Sequence, residues 1–455
     1  MTYARVLQYL ESFIDYEKIP AYPYKETLKL ERVKGFLTMI GNPQDALRCL
    51  HIAGTKGKGS TCAFITYILR EAGFRAGLYT SPHLADFRER IRILSPTPNT
   101  EHRTPNFEGM ISKKDLADLV DRLKPAVEKY NQQSQYGPLT FFEVYTALAF
   151  TYFKEKKVDF AVLETGLGGR LDATNVVNPL ACAITPISYE HTQKLGNTLR
   201  EIAGEKAGII KGHKVTRSQG HKLVVIVAPQ EKEAREVIRN KCKQTGAMLY
   251  EVGKDITYKE IEGEVKVKGL FDEYNDLKIG LRGEYQFINA AVAIGLAEAL
   301  RFYHINIGRQ TIKNGLAHTL WPGRCEVVSR KPLMVLDGAQ NIASAQAIKQ
   351  AIKKNFQYKK LILVLGISQD KDIPGVCRVL YGLADRIVLT QADNPRAMPA
   401  DDLAKFFKGK DVFLTQNIEG ALKLAKVKAK KSDLILVTGS LFVVGEARNL
   451  LKCKR

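Results

Sequence analysis

Several things are missing from this chain of 455 residues. No apolar run approaches the ~20 residues that a membrane-spanning helix needs. The opening MTYARVLQYLESF lacks the basic-then-apolar order of a secretory signal, so the plain expectation is a cytoplasmic protein. No C-x-x-C pair occurs; the seven cysteines (Cys49, Cys62, Cys182, Cys242, Cys325, Cys377 and Cys453) are scattered singly. An odd number without close pairs argues against both a disulfide framework and a zinc site. There is no short-period repeat and no low-complexity tract. Negative charge is also in short supply: the formal net charge is +21. Such a field attracts nucleic acid, anionic lipid or an anionic small substrate. However, many lysines fall in short surface-like clusters such as KEKK (154–157) and KAKK (428–431), and no RNA-recognition-type aromatic motif or recognition helix stands out. Neither nucleic acid nor membrane is expected as a partner.

What is present is the composition of an ordinary globular protein, 45% hydrophobic and 26% charged, at a length that exceeds one hydrophobic core. Short apolar strands alternate with helical segments: RCLHIA (48–53), AGLYTS (76–81), KVDFAVLETG (157–166) and ACAITPIS (181–188), with helices between them, notably over 140–156, before the third. That alternation predicts a parallel α/β sheet covered on both faces. Residues 1–48 read as helices, with helical spacing at Leu28, Leu30, Val33 and Leu37. The stretches 95–109 and 212–222 read as polar surface loops. From about residue 245, MLYEVG, ITYKEIEGEVKVKG and DLKIGLRG read as a small antiparallel edge, followed by a helix over 286–303. WPGR (321–324) reads as a hinge. Beyond it LMVLDG, LILVLGI, RIVLTQ, DVFLTQ and DLILVTG, separated by helices, predict a second, smaller doubly wound unit. The expected division is therefore 1–320, a phosphate-loop-type parallel-sheet domain, and 321–455, a Rossmann-like α/β domain.

Three segments carry chemistry. HIAGTKGKGSTC (51–62) almost spells G-x-x-x-x-G-K-[ST] without doing so in either register. Its context, strand then glycine turn then amphipathic helix, is the one in which backbone amides form an anion cradle. Lys58 adds a point charge for outer phosphates, and Ser60 or Thr61 offers a hydroxyl; the alternative is a strand-to-helix turn with no ligand. Second, Glu164 ends an apolar strand, the usual place for a Mg²⁺-binding carboxylate beside a phosphate loop. The glycines of ETGLGGRLDATN that follow allow close approach to backbone, with Asp172 and Asn175 beyond. Third, His191 follows a strand and Lys206 falls on a helix; spacing alone distinguishes neither from a structural or solvated residue.

HIAGTKGKGS, TSPHLADFRERIRI, ETGLGGRLDATN, EHT…EKAGIIK, WPGR, DGAQN and TGSLFVVGEAR occur in order across the chain. Together they make it resemble the folylpolyglutamate synthase/dihydrofolate synthase family of the Mur ligase superfamily, from about residue 5 to 450. The resemblance implies an ATP-dependent amide ligase that phosphorylates a carboxylate and joins the amine of L-glutamate to it, with dihydropteroate or folate as acceptor, in the cleft between two domains of a monomer. By family position Gly54, Thr55, Lys56, Gly57, Lys58, Gly59, Ser60 and Thr61 would wrap the phosphates, and Asn289, Arg324 and Asp337 would contact ATP. Ser60, Ser81 and Glu164 would hold one Mg²⁺. His191 and Lys206 would hold a second, Lys206 as a carbamate, because an ammonium repels the ion. Catalysis would rest on Lys58, Lys206, His191 and Asp337. Arg90 and Ser440 would receive the entering glutamate, Gln340 would stand near it and the nucleotide, and Asp172 would lie near the pterin.

The family often has Asp-His where Glu190-His191 stand, His-Gln where Tyr285-Gln286 stand, and DGAHN where this chain has DGAQN. Gln340 keeps a donor and an acceptor but cannot carry a proton, which suits a hydrogen-bonding role rather than an acid–base one. LDATN accompanies dihydropteroate-using members, so both activities are expected in one chain. Two rivals remain: a peptidoglycan-precursor Mur ligase, against which the short length before residue 51 speaks, and a basic ATP-gated nucleic-acid-binding module.

Overall fold

The computed structural model describes residues 1–17, 19, 22–96, 108–212, 222–261 and 264–452. Most of both polar stretches read as surface loops (97–107 and 213–221), and Cys453, lie outside these residues. The other six cysteines are buried and unpaired. Two units are present: 1–83, 88–280 and 286–319 form the first, and 84–87, 281–285 and 320–455 the second. The two short early segments belong with the later unit for visible reasons. A Cβ at Gly445 would lie 1.9 Å from the Leu84 carbonyl oxygen, and the Arg282 guanidinium lies over the Phe356 ring.

In the first unit seven strands are laid down along the chain: β1 (Cys49–Ala53), β2 (Ala76–Tyr79), β3 (Ile91–Leu94), β4 (Phe160–Glu164), β5 (Ala181–Ile184), β6 (Val224–Val227) and β7 (Met248–Glu251). They form one sheet in the order β3-β2-β4-β1-β5-β6-β7. All neighbours are parallel except β2–β3. β1, β2, β4, β5 and β6 are buried throughout, as near-continuous apolar strands in a sheet covered on both faces must be. The chain leaves β1 toward one edge and returns to continue from β5 toward the other. The switch point is therefore at β1, between β4 and β5, with Ile52 opposite both Glu164 and Ala183. In open parallel sheets, ligands bind off the carboxyl ends of strands at such a point.

The antiparallel part differs from expectation in one respect. Residues 248–251 join the large sheet in parallel register with β6. The antiparallel strands β8 (Thr257–Ile261), β9 (Glu264–Lys268) and β10 (Glu273–Leu277) form a separate sheet of three. Val265, Val267, Tyr274 and Leu277 give that sheet its buried side. The predicted helical stretch near residue 28 is interrupted: Leu28 and Lys29 are extended between the helices Tyr24–Thr27 and Leu30–Met39. Arg32 explains the break, because its guanidinium takes the Thr27 carbonyl at 3.2 Å and pairs with the buried Glu143 carboxylate at 2.8 Å.

The second unit is a six-stranded sheet: β11 (Glu326–Arg330), β12 (Leu333–Leu336), β13 (Leu361–Leu365), β14 (Arg386–Leu389), β15 (Asp411–Leu414) and β16 (Leu434–Thr438). Their order is β11-β12-β16-β13-β14-β15, parallel apart from β11. Successive side chains along β13 enter different cores, Leu361, Leu363 and Leu365 on one face and Ile362 and Val364 on the other. That period of two is what a sheet buried on both faces requires.

Candidate active site

The turn after β1 is shaped by two glycines that no other residue can replace without movement. Gly54 has φ +147°, and a Cβ there would lie 1.9 Å from Thr185 Oγ1. Gly57 has φ +85°, and a Cβ there would lie 2.1 Å from Asn289 Oδ1. Between them the amides of Thr55 and Lys56 both donate to the Pro186 carbonyl, at 3.0 and 3.1 Å. The Thr55 hydroxyl donates to the Ser188 carbonyl, and Lys56 Nζ reaches Glu190 at 2.8 Å. Thr55 and Lys56 thus weld the turn to the segment after β5, and their backbone donors are committed there rather than to an anion. The helix Lys58–Glu71 begins with Gly57 as its N-cap and has no side-chain cap. Thr61 N–H already closes on Gly57 O. The first-turn amides of Lys58, Gly59 and Ser60 have no intrahelical acceptor, and they stand at the positive end of the helix dipole. An anion placed at this turn would therefore meet these three amides.

Around the cradle the sheet gathers charge. Glu164, the last residue of β4, is buried; its carboxylate accepts from the Ser81 amide at 3.2 Å and lies 4.0 Å from Lys58 Nζ. Ser60 Oγ accepts from Gln286 Nε2 at 3.4 Å, and Gln286 Oε1 accepts from Asn289 Nδ2 at 2.8 Å. One helix face (Tyr285–Ala299) thus holds both the serine and the floor of the turn. Lys206 is buried, and its Nζ donates to the Gly54 carbonyl at 2.8 Å. Burial, reinforced by the Lys58 charge, lowers its pKa to about 7. Glu190 moves the other way in net: burial disfavours its charge, but Lys56 and then His191 outweigh that and hold it at about 2. His191 is exposed, has φ +54°, and opens the short helix Thr192–Leu195. The structure thus brings Lys58, Ser60, Ser81, Glu164, Lys206 and Asn289 to the mouth of one turn.

Two segments match models of the Mur ligase families: residues 129–297 the middle domain, and residues 323–441 the glutamate ligase domain. The chain is 35% identical over 431 residues to the dihydrofolate synthase/folylpolyglutamate synthase of Bacillus subtilis (strain 168), covering 93% of this chain and 95% of that one. The crystal structure of Mycobacterium tuberculosis folylpolyglutamate synthase complexed with ADP and AMPPCP superposes with a TM-score of 0.84 at 30% identity, covering 99% of each chain. E. coli FolC in complex with DHPP and ADP gives 0.81 at 27%, covering 100% of this chain and 99% of that one. This chain belongs to the dihydrofolate synthase/folylpolyglutamate synthase family.

Within this family member, the remaining residues singled out in the sequence fall into distinct settings. Asp172 is buried, and both its oxygens are engaged internally. Oδ2 accepts from the amides of Gly166 and Leu167 at 2.8 and 3.0 Å, and Oδ1 from Thr174 N–H and Oγ1 at 3.0 and 2.5 Å. Burial raises its pKa, opposed by those donors. Asp172 thereby holds the 166–174 turn in shape. Behind it, His51 Nε2 lies 2.8 Å from Thr174 Oγ1, with burial lowering the imidazole's pKa to about 3. Arg90 is buried against the Phe141 ring and is held by Glu17. In the second unit Asp337, at the end of β12, is buried and accepts from the amides of Cys325 and Ala339 at 2.8 and 2.9 Å. Burial raises its pKa against the nearby Arg324 charge. Ser440 Oγ accepts from Val443 N–H at 3.1 Å, which caps the last helix. The Gln340 backbone N–H donates to Ser344 Oγ at 3.1 Å.

The sequence reading did not find Thr185, Pro186 or Glu17. Only the three-dimensional closeness of segments more than 70 residues apart reveals them; the one local signal was the Pro that follows Thr185 directly after β5. No helix among the described residues is long and apolar enough to cross a membrane.

Proposed function

We propose that this protein is an ATP-dependent carboxylate–amine ligase that adds L-glutamate to dihydropteroate and to folates. The observation that carries this reading is its near end-to-end match, at 35% identity, to an enzyme bearing both names. The chemistry suits the cradle. A carboxylate is a poor electrophile; transfer of the γ-phosphoryl group of ATP to one of its oxygens gives an acyl phosphate and ADP. The glutamate amine then attacks the carbonyl carbon, loses a proton, and expels inorganic phosphate, leaving an amide. Most of the demand is for positioning and charge neutralisation rather than covalent help from the protein.

In this reading the amides of Lys58, Gly59 and Ser60 hold phosphate oxygens, and the Lys58 ammonium neutralises charge developing on the transferred group. Glu164 with the hydroxyls of Ser60 and Ser81 is an all-oxygen donor set, and Mg²⁺ binds through one or two carboxylates, water and substrate phosphates. The residues fit that ion, which when bound would neutralise phosphate charge. Thr61 Oγ1 is buried without a partner among the described residues, a second polar group kept beside the cradle. Lys206 suits modification to a carbamate: the amine is buried, fixed on Gly54, and about half neutral near pH 7, which is the form that adds carbon dioxide. With His191 it would hold a second Mg²⁺.

Asn289, Arg324 and Asp337 are assigned to ATP. For Asp337, whose oxygens are taken by amides, the assignment is to positioning Arg324 and the turn after β12. Arg90, Gln340 and Ser440 are assigned to the entering glutamate, and the turn shaped by Asp172 to the pterin. We assign the enzyme to the cytoplasm and expect a monomer. The test is phosphate release with dihydropteroate or tetrahydrofolate as acceptor, each with and without glutamate. Release that needs both an acceptor and glutamate supports the ligase. Release stimulated by DNA, or indifferent to glutamate, overturns it in favour of a nucleic-acid-linked ATPase.

A further inference from the structure

Arg90 is among the most deeply buried charges in the first unit, with its side chain 1% exposed. Its guanidinium lies 5.1 Å from the Phe141 ring centre and 5.9 Å from that of Tyr145. Nε donates to His83 Nδ1 at 3.0 Å. The two terminal nitrogens form a fork on the Glu17 carboxylate, Nη1 to Oε1 at 2.9 Å and Nη2 to Oε2 at 2.5 Å. The partners are unequal. Glu17 is 30% exposed, and it sits outside regular structure between the helices Tyr3–Glu11 and Tyr24–Thr27. Its own amide donates to the neighbouring Asp15 carboxylate at 3.0 Å. Arg90 cannot leave its aromatic bed, whereas Glu17 borders solvent.

We propose that Glu17 is a placeholder for the entering amino acid: a carboxylate of glutamate displaces the Glu17 carboxylate from the Arg90 fork, so that Glu17 sets the apparent affinity for glutamate and screens out amines without a carboxylate. This rests on the assignment of Arg90 given above. A buried guanidinium must keep a counter-charge, and a planar carboxylate is the group whose two oxygens match its paired N–H bonds. Exchange of one carboxylate for another conserves the charge and both hydrogen bonds, and no covalent bond changes. An amine lacking a carboxylate would have to leave Arg90 buried and unpaired, so it gains nothing by entering. The cost of the device falls on apparent affinity, which is reduced by the fraction of time the fork is open. A fork closed nine-tenths of the time raises the KM for glutamate about tenfold.

Steady-state kinetics of the full-length enzyme with saturating ATP and dihydropteroate test this, with Glu17→Gln, which keeps size and removes charge. The expected result is a KM for glutamate about tenfold lower, with kcat and the KM for dihydropteroate within about twofold of the parent. Glutamate is also expected to raise the Tm of Glu17→Gln more than that of the parent. Glu17→Asp, which keeps the charge but falls one methylene short of the fork, is expected to lower the KM for glutamate by a smaller factor, and it decides the matter if Glu17→Gln does not fold. An unchanged or raised KM for glutamate in the folded variants overturns the proposal and makes Glu17 a structural counter-ion. Failure of the parent enzyme to require glutamate for turnover is a separate result and would strike the ligase reading instead.

Discussion

Each unit contains a parallel strand that runs through a short turn into a helix, and the two junctions end differently. After β1 the helix Lys58–Glu71 starts at Gly57 with no side chain over its end. After β12 the helix Ile342–Asn355 starts at Asn341, whose side chain accepts from Ser344 N–H at 3.0 Å, while Ser344 Oγ accepts from the amides of Gln340 and Asn341, each at 3.1 Å. The first junction leaves its first-turn amides without a side-chain cap and relies on Gly54 and Gly57 to hold an otherwise unfavourable turn. The second closes three amides, those of Gln340, Asn341 and Ser344, on side chains of its own turn. The buried carboxylates repeat the contrast: Asp337 accepts two backbone amides of its own turn, whereas Glu164 faces Lys58 across the cradle. A shared α/β architecture therefore does not make two equivalent helix N-termini: one is capped by a side chain and the other is not.

That contrast can be broken at several points. Lys206→Ala should have the largest effect, removing ligation by at least ~10³-fold in kcat, about 4 kcal/mol of transition-state stabilisation. Full activity of this variant without added short-chain acids would exclude a carbamate there. Gly57→Ala comes next. It combines a left-handed backbone with a clash on Asn289, so the turn must shift, and kcat/KM for ATP should fall by ~10²-fold in initial-rate assays. Asn341→Ala at the matching junction should instead cost about 1 kcal/mol of stability, read as a lower denaturation midpoint, with the KM for ATP unchanged. A loss of ATP affinity from Asn341→Ala as large as that from Gly57→Ala would erase the distinction between the junctions. Gln340→His is expected to change kcat by less than about threefold across pH 6 to 9, since the position is assigned to hydrogen bonding. A new ionisation in its pH–rate profile would show that the position can take part in proton transfer.

The first junction was legible in the sequence as structure because every part of its signal is local: an apolar strand, glycines at the turn, then an amphipathic helix. What each of its residues does was less so. Thr55 and Lys56 look like phosphate ligands by position, yet their amides are claimed by Pro186, some 130 residues later in the chain. Lys206 has no distinguishing spacing; it becomes chemically unusual only because folding buries its amine against Gly54 and beside Lys58. Likewise the pairing direction of residues 248–251 depends on a neighbouring strand, which residue pattern alone does not name. Of the strands in the two larger sheets, β1, β2, β4, β5, β12, β13, β14 and β16 were readable as apolar runs because they are buried over all or nearly all of their length, whereas β3, β6 and β11 were not named from the sequence.

The central claim, that the cradle of the first unit activates a carboxylate by phosphorylation for attack by an amine, is tested most directly by oxygen transfer. Dihydropteroate labelled with ¹⁸O in its carboxylate would be turned over with ATP and glutamate, and the released phosphate analysed by mass spectrometry. The account predicts one labelled oxygen in each phosphate formed. Phosphate free of label, with turnover intact, would contradict it.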